Sequence, residues 1–339
     1  MASIDFTELF ATITTATEDS WTTVDLTSLG VPDNAVVVVL MEHKTDGVAG
    51  TCGVREVGSS TNRYFALHEP EAGGSTSTVM HVQSNATASI QYYKDDSASV
   101  FTLLGYYGTG ITYTEEFSER TEQTLWTSAA CEQNNRVFEF VCVNPSDIAE
   151  LWAGVRKVDS ALSRRFYIHE AEPSGINCYT NYAQSDSSGN VEYYILNSSV
   201  YRVGYFSANI QLEERFDLCT PASDATWGEQ TIVAGGENCV ALIACMHESV
   251  GTEEYMGARG GASAVNRYWL EHEAEGGGIS GDTLPVLVDA GGKYDTYHGD
   301  VSDGLFYCLG YLYDTGGAPA VAPTSVLYGP FVGPLGGPV

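Results

Sequence analysis

The sequence predicts an all-β protein made of three tandem β-sandwich domains of jelly-roll type, with an extended arm at the C-terminus. Two observations support this fold class. A unit of roughly a hundred residues occurs three times along the chain, which is the signature of tandem domains. Within each unit, short apolar or alternating runs are separated by turn signals at intervals of about 8–12 residues, as in the strands of a sandwich.

The repeat follows three tryptophans, Trp21, Trp126 and Trp227. A gapless block of 22 residues then recurs, as GVREVGSSTNRYFALHEPEAGG from Gly53, GVRKVDSALSRRFYIHEAEPSG from Gly154 and GARGGASAVNRYWLEHEAEGGG from Gly257. Each copy ends in an aromatic strand with a Gly-Tyr pair, at Gly105, Gly204 and Gly310. The expected domains are an N-terminal arm at 1–16, repeats at 17–118, 119–218 and 219–314, and a C-terminal arm at 315–339.

The elements of one copy are seven or eight short strands. In the first copy, AVVVVLMEH has the pattern of a buried strand, TSTVMHVQS and ASIQYYKDD alternate, and SVFTLLGYYG is apolar and aromatic. The stretches VPDNA, DGVAG, EAGG and KDDS are turn signals between them. Helix is considered only near residues 4–12 and 145–152, and the N-terminal IDFTELF is interpreted as part of a short arm.

The C-terminal arm has an unusual composition. From Gly316 to Val339 it has no charged residue, five Pro and six Gly, which excludes a regular helix or a central strand. Its apolar content favours an extended arm that docks in a groove, and a groove on another chain is preferred to one on its own chain. The expected docking residues are Val326, Leu327, Tyr328, Phe331, Val332 and Leu335.

The repeated Arg, His and Glu residues form the candidate site. They are Arg55, Arg63, His68, Glu69 and Glu71 in the first copy, Arg156, Arg164, His169, Glu170 and Glu172 in the second, and Arg259, Arg267, His272, Glu273 and Glu275 in the third. In a strand, each His and the Glu after it point to opposite faces, so a helical HExxH zinc site is not formed. A set present in every copy is interpreted as an ion-pair framework that each copy needs to fold, with Glu pairing to Arg on a neighbouring strand. A cation or glycan site and a catalytic site are the alternatives.

Composition restricts the partners. The net charge of -29 makes nucleic acid a poor partner and favours adaptation to high salt, with an ordinary acidic protein as the alternative. No apolar run is long enough to span a membrane, and the N-terminus lacks the features of a secretory signal, so synthesis in the cytoplasm is expected. The eight cysteines are expected to be buried free thiols, with a disulfide or metal framework as the alternative. No cofactor is expected, although bound Ca, Mg or Na is compatible with the carboxylates.

The repeat unit, with GVR, then Arg and HEAEGGG, then an aromatic LGY strand, resembles uncharacterised proteins of tailed viruses, and the acidic, Lys-poor composition resembles that of tailed viruses of halophilic archaea. This resemblance implies a virion structural protein of capsid decoration, turret or fibre-like type, located in the virion. Its implied partners are other virion proteins and further copies of the chain. A receptor- or carbohydrate-binding tail module and a β-sandwich hydrolase using His and Glu are the alternatives.

Overall fold

The fold was analysed in a computed structural model. The structure describes residues 4–14, 18–44, 49–68, 75–108, 110–120, 123–144, 151–168, 175–206, 209–219, 223–232, 239–248, 254–271, 279–300 and 304–315. The C-terminal arm, with Val326, Leu327, Tyr328, Phe331, Val332 and Leu335, lies outside these ranges.

The first repeat is a sandwich of two four-stranded antiparallel sheets, ordered β1-β8-β3-β6 and β2-β7-β4-β5. Consecutive strands therefore alternate between the two sheets, except for β4 and β5, which pair within one sheet, and this is the strand order of a jelly roll. Its elements are β1 (Phe6–Thr12), β2 (Thr22–Asp25), a 3-10 turn (Thr27–Leu29), β3 (Val36–Lys44), β4 (Gly50–Glu56), β5 (Tyr64–Leu67), β6 (Ser75–Gln83), β7 (Ser89–Lys94) and β8 (Ser99–Tyr107).

The second and third repeats have the same strand order. The second contains β9 (Tyr113–Arg120), β10 (Gln123–Ala130), β11 (Val137–Asn144), β12 (Leu151–Lys157), β13 (Arg165–Ile168), β14 (Asn177–Gln184), β15 (Asn190–Leu196) and β16 (Ser199–Phe206). The third contains β17 (Ile210–Cys219), β18 (Thr226–Thr231), β19 (Val240–Glu248), β20 (Glu254–Gly260), β21 (Tyr268–Glu271), β22 (Ile279–Leu287), β23 (Lys293–His298) and β24 (Gly304–Asp314). The prediction of three tandem jelly-roll sandwiches is confirmed.

Sheet membership divides the chain about ten residues earlier than the expected limits at 118 and 218. β9 pairs with β16 and β17 pairs with β24. The strand that comes before the repeated Trp of each copy therefore opens a new repeat and does not end the preceding one. The N-terminal segment likewise opens the first repeat, because β1 pairs with β8. Residues 6–12 are thus a sheet strand, and neither an arm nor a helix.

The six sheets form an inner and an outer layer. In the inner sheets, β3, β6, β11 and β14 are buried on both faces, whereas outer strands such as β15 alternate between buried and partly exposed residues. The edge strands β6, β14 and β22 of the three inner sheets contact one another. The repeats therefore surround a pseudo-threefold axis, and one apolar core cluster draws residues from all three.

The cysteines are free and buried, as expected. Burial raises the pKa of Cys52 and of Cys142 to about 12, so these thiols stay protonated and unreactive. In the part of the chain that the structure describes, no helix is long and apolar enough to cross a membrane.

Candidate functional site: inter-repeat junctions and outer faces

One arginine per repeat is withdrawn completely from water. Each of them stands directly before a short strand, β5, β13 or β21, and each side chain is 0% exposed; they are Arg63, Arg164 and Arg267. Alternation along the strand explains this burial. In the first repeat the residue after Arg63 is Tyr64, which points outward and is 41% exposed. Such a charge needs a partner, since an unpaired buried guanidinium is strongly unfavourable.

The partner of each arginine is a glutamate from the next repeat, and the third arginine is paired by the first repeat. Each Nη1–Oε1 distance is 3.0 Å, and the glutamate side chains are 5–7% exposed. The three contacts therefore close a ring, as heterologous interfaces do when their rotation returns to the start. The pairs are Arg63 with Glu115, Arg164 with Glu214, and Arg267 with Glu8.

Backbone groups complete each junction. The guanidinium donates to the carbonyl oxygen 18 residues further on, with distances of 2.9 Å to His81, 2.6 Å to Tyr182 and 2.9 Å to Pro285. The glutamate accepts a backbone N–H from the end of β4, β12 or β20, at 2.6 Å from Glu56, 2.6 Å from Lys157 and 2.9 Å from Gly260. Both charges thus bind hydrogen-bond partners besides each other, which offsets part of their desolvation.

A β-bulge positions each glutamate. The first strand of every repeat changes register directly after its glutamate, and the residue opposite the glutamate is Gly105, Gly204 or Gly310. A Cβ atom on any of these glycines would collide with the backbone of the facing strand. The Gly of the repeated Gly-Tyr pair is therefore required for this close approach, and the bulge turns the glutamate toward the neighbouring repeat.

These glutamates were not among the candidate residues, although the sequence carries a signal for them. IDFTELF, ITYTEEF and IQLEERF share the pattern Ile-x-apolar-x-Glu-x-Phe, and their fifth residues are Glu8, Glu115 and Glu214. The pattern precedes the Trp in each copy, so the expected limits place IDFTELF in the N-terminal arm and the other two copies at the ends of the first and second repeats. Its Phe contributes to the junctions as well, because Phe117 and Phe216 contact Phe65 and Phe166 at 5.5 Å between ring centroids.

The first junction carries additional polar groups. His81 Nδ1 lies 2.7 Å from Glu139 Oε1, and Glu139 also accepts the hydroxyls of Tyr113 and Tyr182. His81 Nε2 lies 3.2 Å from the hydroxyl of Tyr107. All five side chains are buried, so they bind one another rather than a molecule from solution.

The charge of Glu139 is stabilised within this network. Desolvation by burial raises its pKa, but the charges of His81 and Arg63 and the hydrogen bond from Tyr113 outweigh that effect, so the pKa lies below its ordinary value. Arg63 Nη2 lies 3.9 Å from Glu139. The network fixes a charged carboxylate between the first two repeats.

A second buried carboxylate lies close to the pseudo-threefold axis. Oδ1 of Asp282 accepts the backbone N–H groups of Thr180, at 2.8 Å, and Thr283, at 2.6 Å. Within the described ranges, Oδ2 has no hydrogen-bond partner. Burial raises the pKa of Asp282 to about 7, so this group changes its charge near neutral pH.

The outer sheet of each repeat presents a row of aromatic side chains across its four strands. In the third repeat Trp227 lies opposite Tyr297, and Gly257 lies between Tyr297 and Tyr268. Ring centroids are 5.3 Å apart for Trp227 and Tyr297 and 5.0 Å apart for Tyr268 and Tyr297. We call these the aromatic rows, and their members are Trp21, Tyr93, Gly53 and Tyr64; Trp126, Tyr194, Gly154 and Arg165; and Trp227, Tyr297, Gly257 and Tyr268.

A second arginine per repeat stacks on the Trp of the row. The guanidinium carbons of Arg55, Arg156 and Arg259 lie 4.0, 4.1 and 4.2 Å from the ring centroids of Trp21, Trp126 and Trp227. Their Nε atoms donate to Gln91, Glu192 and Asp295 on the neighbouring strand. These arginines are therefore fixed in place on the outer face by the Trp and by the neighbouring strand.

The remaining candidate residues fall into two groups. His68 is buried, and its backbone pairs with Ile176 of the second repeat, at 3.1 Å and 2.8 Å. Among the described residues, no three His, Cys, Asp or Glu side chains are grouped as ligands of a metal ion. The other eight candidate residues lie outside the described residues, so their place in the expected ion-pair framework stays a prediction; they are Glu69, Glu71, His169, Glu170, Glu172, His272, Glu273 and Glu275.

No protein-family model and no curated protein sequence matches this chain. Two solved structures show a low similarity. One, the triple jelly roll fold and turret assembly of an archaeal virus, is 8% identical with a TM-score of 0.21, over 92% of this chain and 89% of that one. The other, the entire lipid-containing bacteriophage PM2, is 10% identical with a TM-score of 0.15, over 91% and 94%. The jelly-roll assignment therefore rests on the strand order of this chain itself.

Proposed function

We propose that this chain is a virion structural protein, a capsid decoration, turret or fibre-like component that assembles through its jelly rolls and its C-terminal arm. The observation that carries the proposal is the closed ring of three jelly rolls. Three buried Arg–Glu pairs join the repeats into one rigid block with the symmetry of a trimer. Such a block is suited to a repeated position in a shell or a spike.

The chemistry of the described residues supports a structural role. The ionisable groups that lie together at the junctions are buried and bind one another, whereas catalysis needs groups that reach a substrate. The resemblance of the repeat unit to proteins of tailed viruses points in the same direction. The acidic composition is consistent with a virus of a salt-rich habitat.

The proposal is tested on particles of the virus that encodes the chain. Nuclease-treated particles are purified in a density gradient and their proteins are quantified by mass spectrometry. We expect the chain at a fixed copy number per particle, and density for three jelly rolls around a local axis in a reconstruction. A chain that is abundant in infected cells and missing from the particles would refute the proposal.

A further inference from the structure

The aromatic rows concentrate large apolar side chains on the outside of the molecule. Four of the five tryptophans, Trp21, Trp126, Trp152 and Trp227, lie in strands of the outer sheets or next to one, in contact with outer-face tyrosines. Tyr64 is 41% and Tyr255 45% exposed. Exposed aromatic patches of this kind on a protein surface indicate a contact surface.

The glycine in each row keeps this surface low. A Cβ atom on Gly53, Gly154 or Gly257 would collide with the carbonyl oxygen of Arg63, Arg164 or Arg267. The rings on either side of the glycine close over it, with centroids 5.7 Å apart for Tyr64 and Tyr93 and 5.0 Å apart for Tyr268 and Tyr297. A low, continuous aromatic strip of this kind accepts an extended chain better than a bulky helix.

The last 24 residues of the chain have the matching chemistry. Pro330, Pro334 and Pro338 recur every four residues, each preceded by Gly, and Tyr328, Phe331 and Leu335 stand between or beside them. Proline favours the extended polyproline II conformation, and its ring packs on the faces of Trp and Tyr. The segment carries no charge, so a protein of net charge -29 does not repel it.

We propose that residues 316–339 of one chain dock on an aromatic row of another copy. This inference rests on the assembly role of the arm in the proposed function and names the surface that receives it. Four strands spaced about 4.8 Å apart make a row of about 15 Å, which corresponds to about five residues of polyproline II at about 3.1 Å each.

The length of the arm allows the recipient to be a second copy. The arm starts after β24, where Thr315 N donates to Asn209 O at 3.0 Å. Its extended length is on the order of 70 Å, which is enough to leave its own repeat and reach a neighbouring molecule.

The first experiment measures docking directly. A synthetic peptide of residues 316–339 is titrated into full-length protein carrying Tyr328→Ser, Phe331→Ser and Leu335→Ser, so that the endogenous arm does not compete. Because four of five tryptophans lie at the outer faces, intrinsic fluorescence reports on binding. We expect a saturable change, and no change with a peptide in which every Pro is Ser. Absence of binding overturns the inference.

Row variants locate the docking surface. Tyr64→Ser, Arg165→Ser and Tyr268→Ser, singly and together, are added to the same protein, with each tryptophan kept. We expect the combined variant to weaken the peptide Kd at least ten-fold. The matched control is Leu125→Ser with Leu218→Ser, which removes side chains that are 75% and 59% exposed outside the rows and should leave the Kd unchanged. Melting curves confirm folding, and the singly substituted Tyr64→Ser protein, whose side chain is exposed, serves if the combined variant does not fold.

The second experiment separates this inference from the assembly role itself. The mass of full-length protein is followed by light scattering over a concentration series, and we expect oligomers that both the arm variant and the row variant lose. If only the arm variant loses them, the arm acts at another surface, and the inference fails while the assembly role stands. If neither loses them, both fail. If a neutral oligosaccharide binds the rows and the peptide does not, the surface is a glycan site and the inference is wrong.

Discussion

At the scale of the residue, Arg164 and Glu214 show why a buried ion pair is retained. Their side chains are 0% and 7% exposed, so both charges have left water at a cost of several kcal/mol. The guanidinium also donates to the carbonyl oxygen of Leu309 in the third repeat at 2.9 Å. The geometry that offsets desolvation exists only when both repeats are in place, which makes the pair a marker of correct assembly between repeats.

Replacement of Arg164 by Met should lower the free energy of unfolding by about 3–5 kcal/mol, because Glu214 then stays buried without its counter-charge. The matched control is Arg156→Met in the same repeat. Arg156 pairs with Glu192, and their side chains are 14% and 13% exposed. Because this pair is reached by water and Arg156 also stacks on Trp126, the expected loss of unfolding free energy is about 1 kcal/mol. Urea unfolding measures both. Equal losses would contradict the distinct role of the junction arginine.

Asp282 should make stability fall as pH rises. Its pKa is about 7 in the folded chain against 3.8 for an ordinary Asp, so the folded state binds the extra proton between these values. The loss between pH 4 and pH 8 should reach about 4 kcal/mol. Asp282→Asn keeps the acceptor for Thr180 and Thr283 and should remove this slope. Urea unfolding at pH 4, 6 and 8 measures it.

Glu139 should have the opposite effect and provides the control. Its pKa is lowered, so its contribution is present above the ordinary value of 4.5 and is lost as the pH falls through the folded pKa. Glu139→Gln should therefore be destabilising at pH 8. A pH profile that stays the same in Asp282→Asn would show that this carboxyl is not the titrating group.

At the scale of the element, β1 is the strand that closes the ring. It pairs with β8 of its own repeat and carries Glu8 to Arg267 of the third. Removal of residues 1–13 should leave Arg267 buried without its carboxylate and expose the edge of β8. We expect a large drop in melting temperature and faster hydrogen exchange in β8 and β22, and partial recovery when a peptide of residues 1–14 is added in trans.

Removal of the C-terminal segment is the control for that deletion. All eight strands of the third repeat are complete at Asp314, which pairs with Ile210. Deletion of residues 316–339 should therefore leave the melting temperature unchanged while assembly is lost. Equal melting of the chain lacking β1 and the full chain would show that ring closure contributes nothing to stability.

The sequence predicted what is local and repeated. The all-β class followed from strand periodicity and the three units from the repeated block, and the alternation expected in β5 is present, since Tyr64 is exposed while Arg63 and Phe65 are buried. The carboxylate partners did not follow, because Glu115 comes from the next repeat and its pairing depends on a register change in β9. A strand whose partner is about ninety residues away, as β1 is from β8, has no local signal of its sheet.

At the scale of the whole molecule, the charge of -29 is held on one compact body. Self-repulsion of this size favours expansion and is screened by salt, since the Debye length falls from about 30 Å at 0.01 M to about 3 Å at 1 M. We expect the melting temperature to rise with NaCl over this range. Sucrose at matched osmolality should raise it much less. A melting temperature that is independent of NaCl would contradict adaptation to a salt-rich habitat.

The closed ring also predicts that the chain can begin at any repeat boundary. Five residues connect β8 to β9, and three connect β16 to β17. Because Arg267 meets Glu8 as Arg63 meets Glu115, the pseudo-threefold arrangement places the end of β24 about as close to the start of β1. A permuted chain that runs from residue 110 to 315, then through a linker of about five Gly and Ser residues, then from 4 to 108, should fold with a melting temperature within a few degrees of the parent.

The control permutant is opened between Leu40 and Met41, inside the fully buried strand β3, with the same linker. This cut breaks an inner strand that pairs with both β6 and β8, so folding should be lost. Differential scanning calorimetry compares the two chains with the parent. If the chain opened at residue 109 fails to fold as the control does, the ends are not adjacent and the three repeats do not form a closed ring.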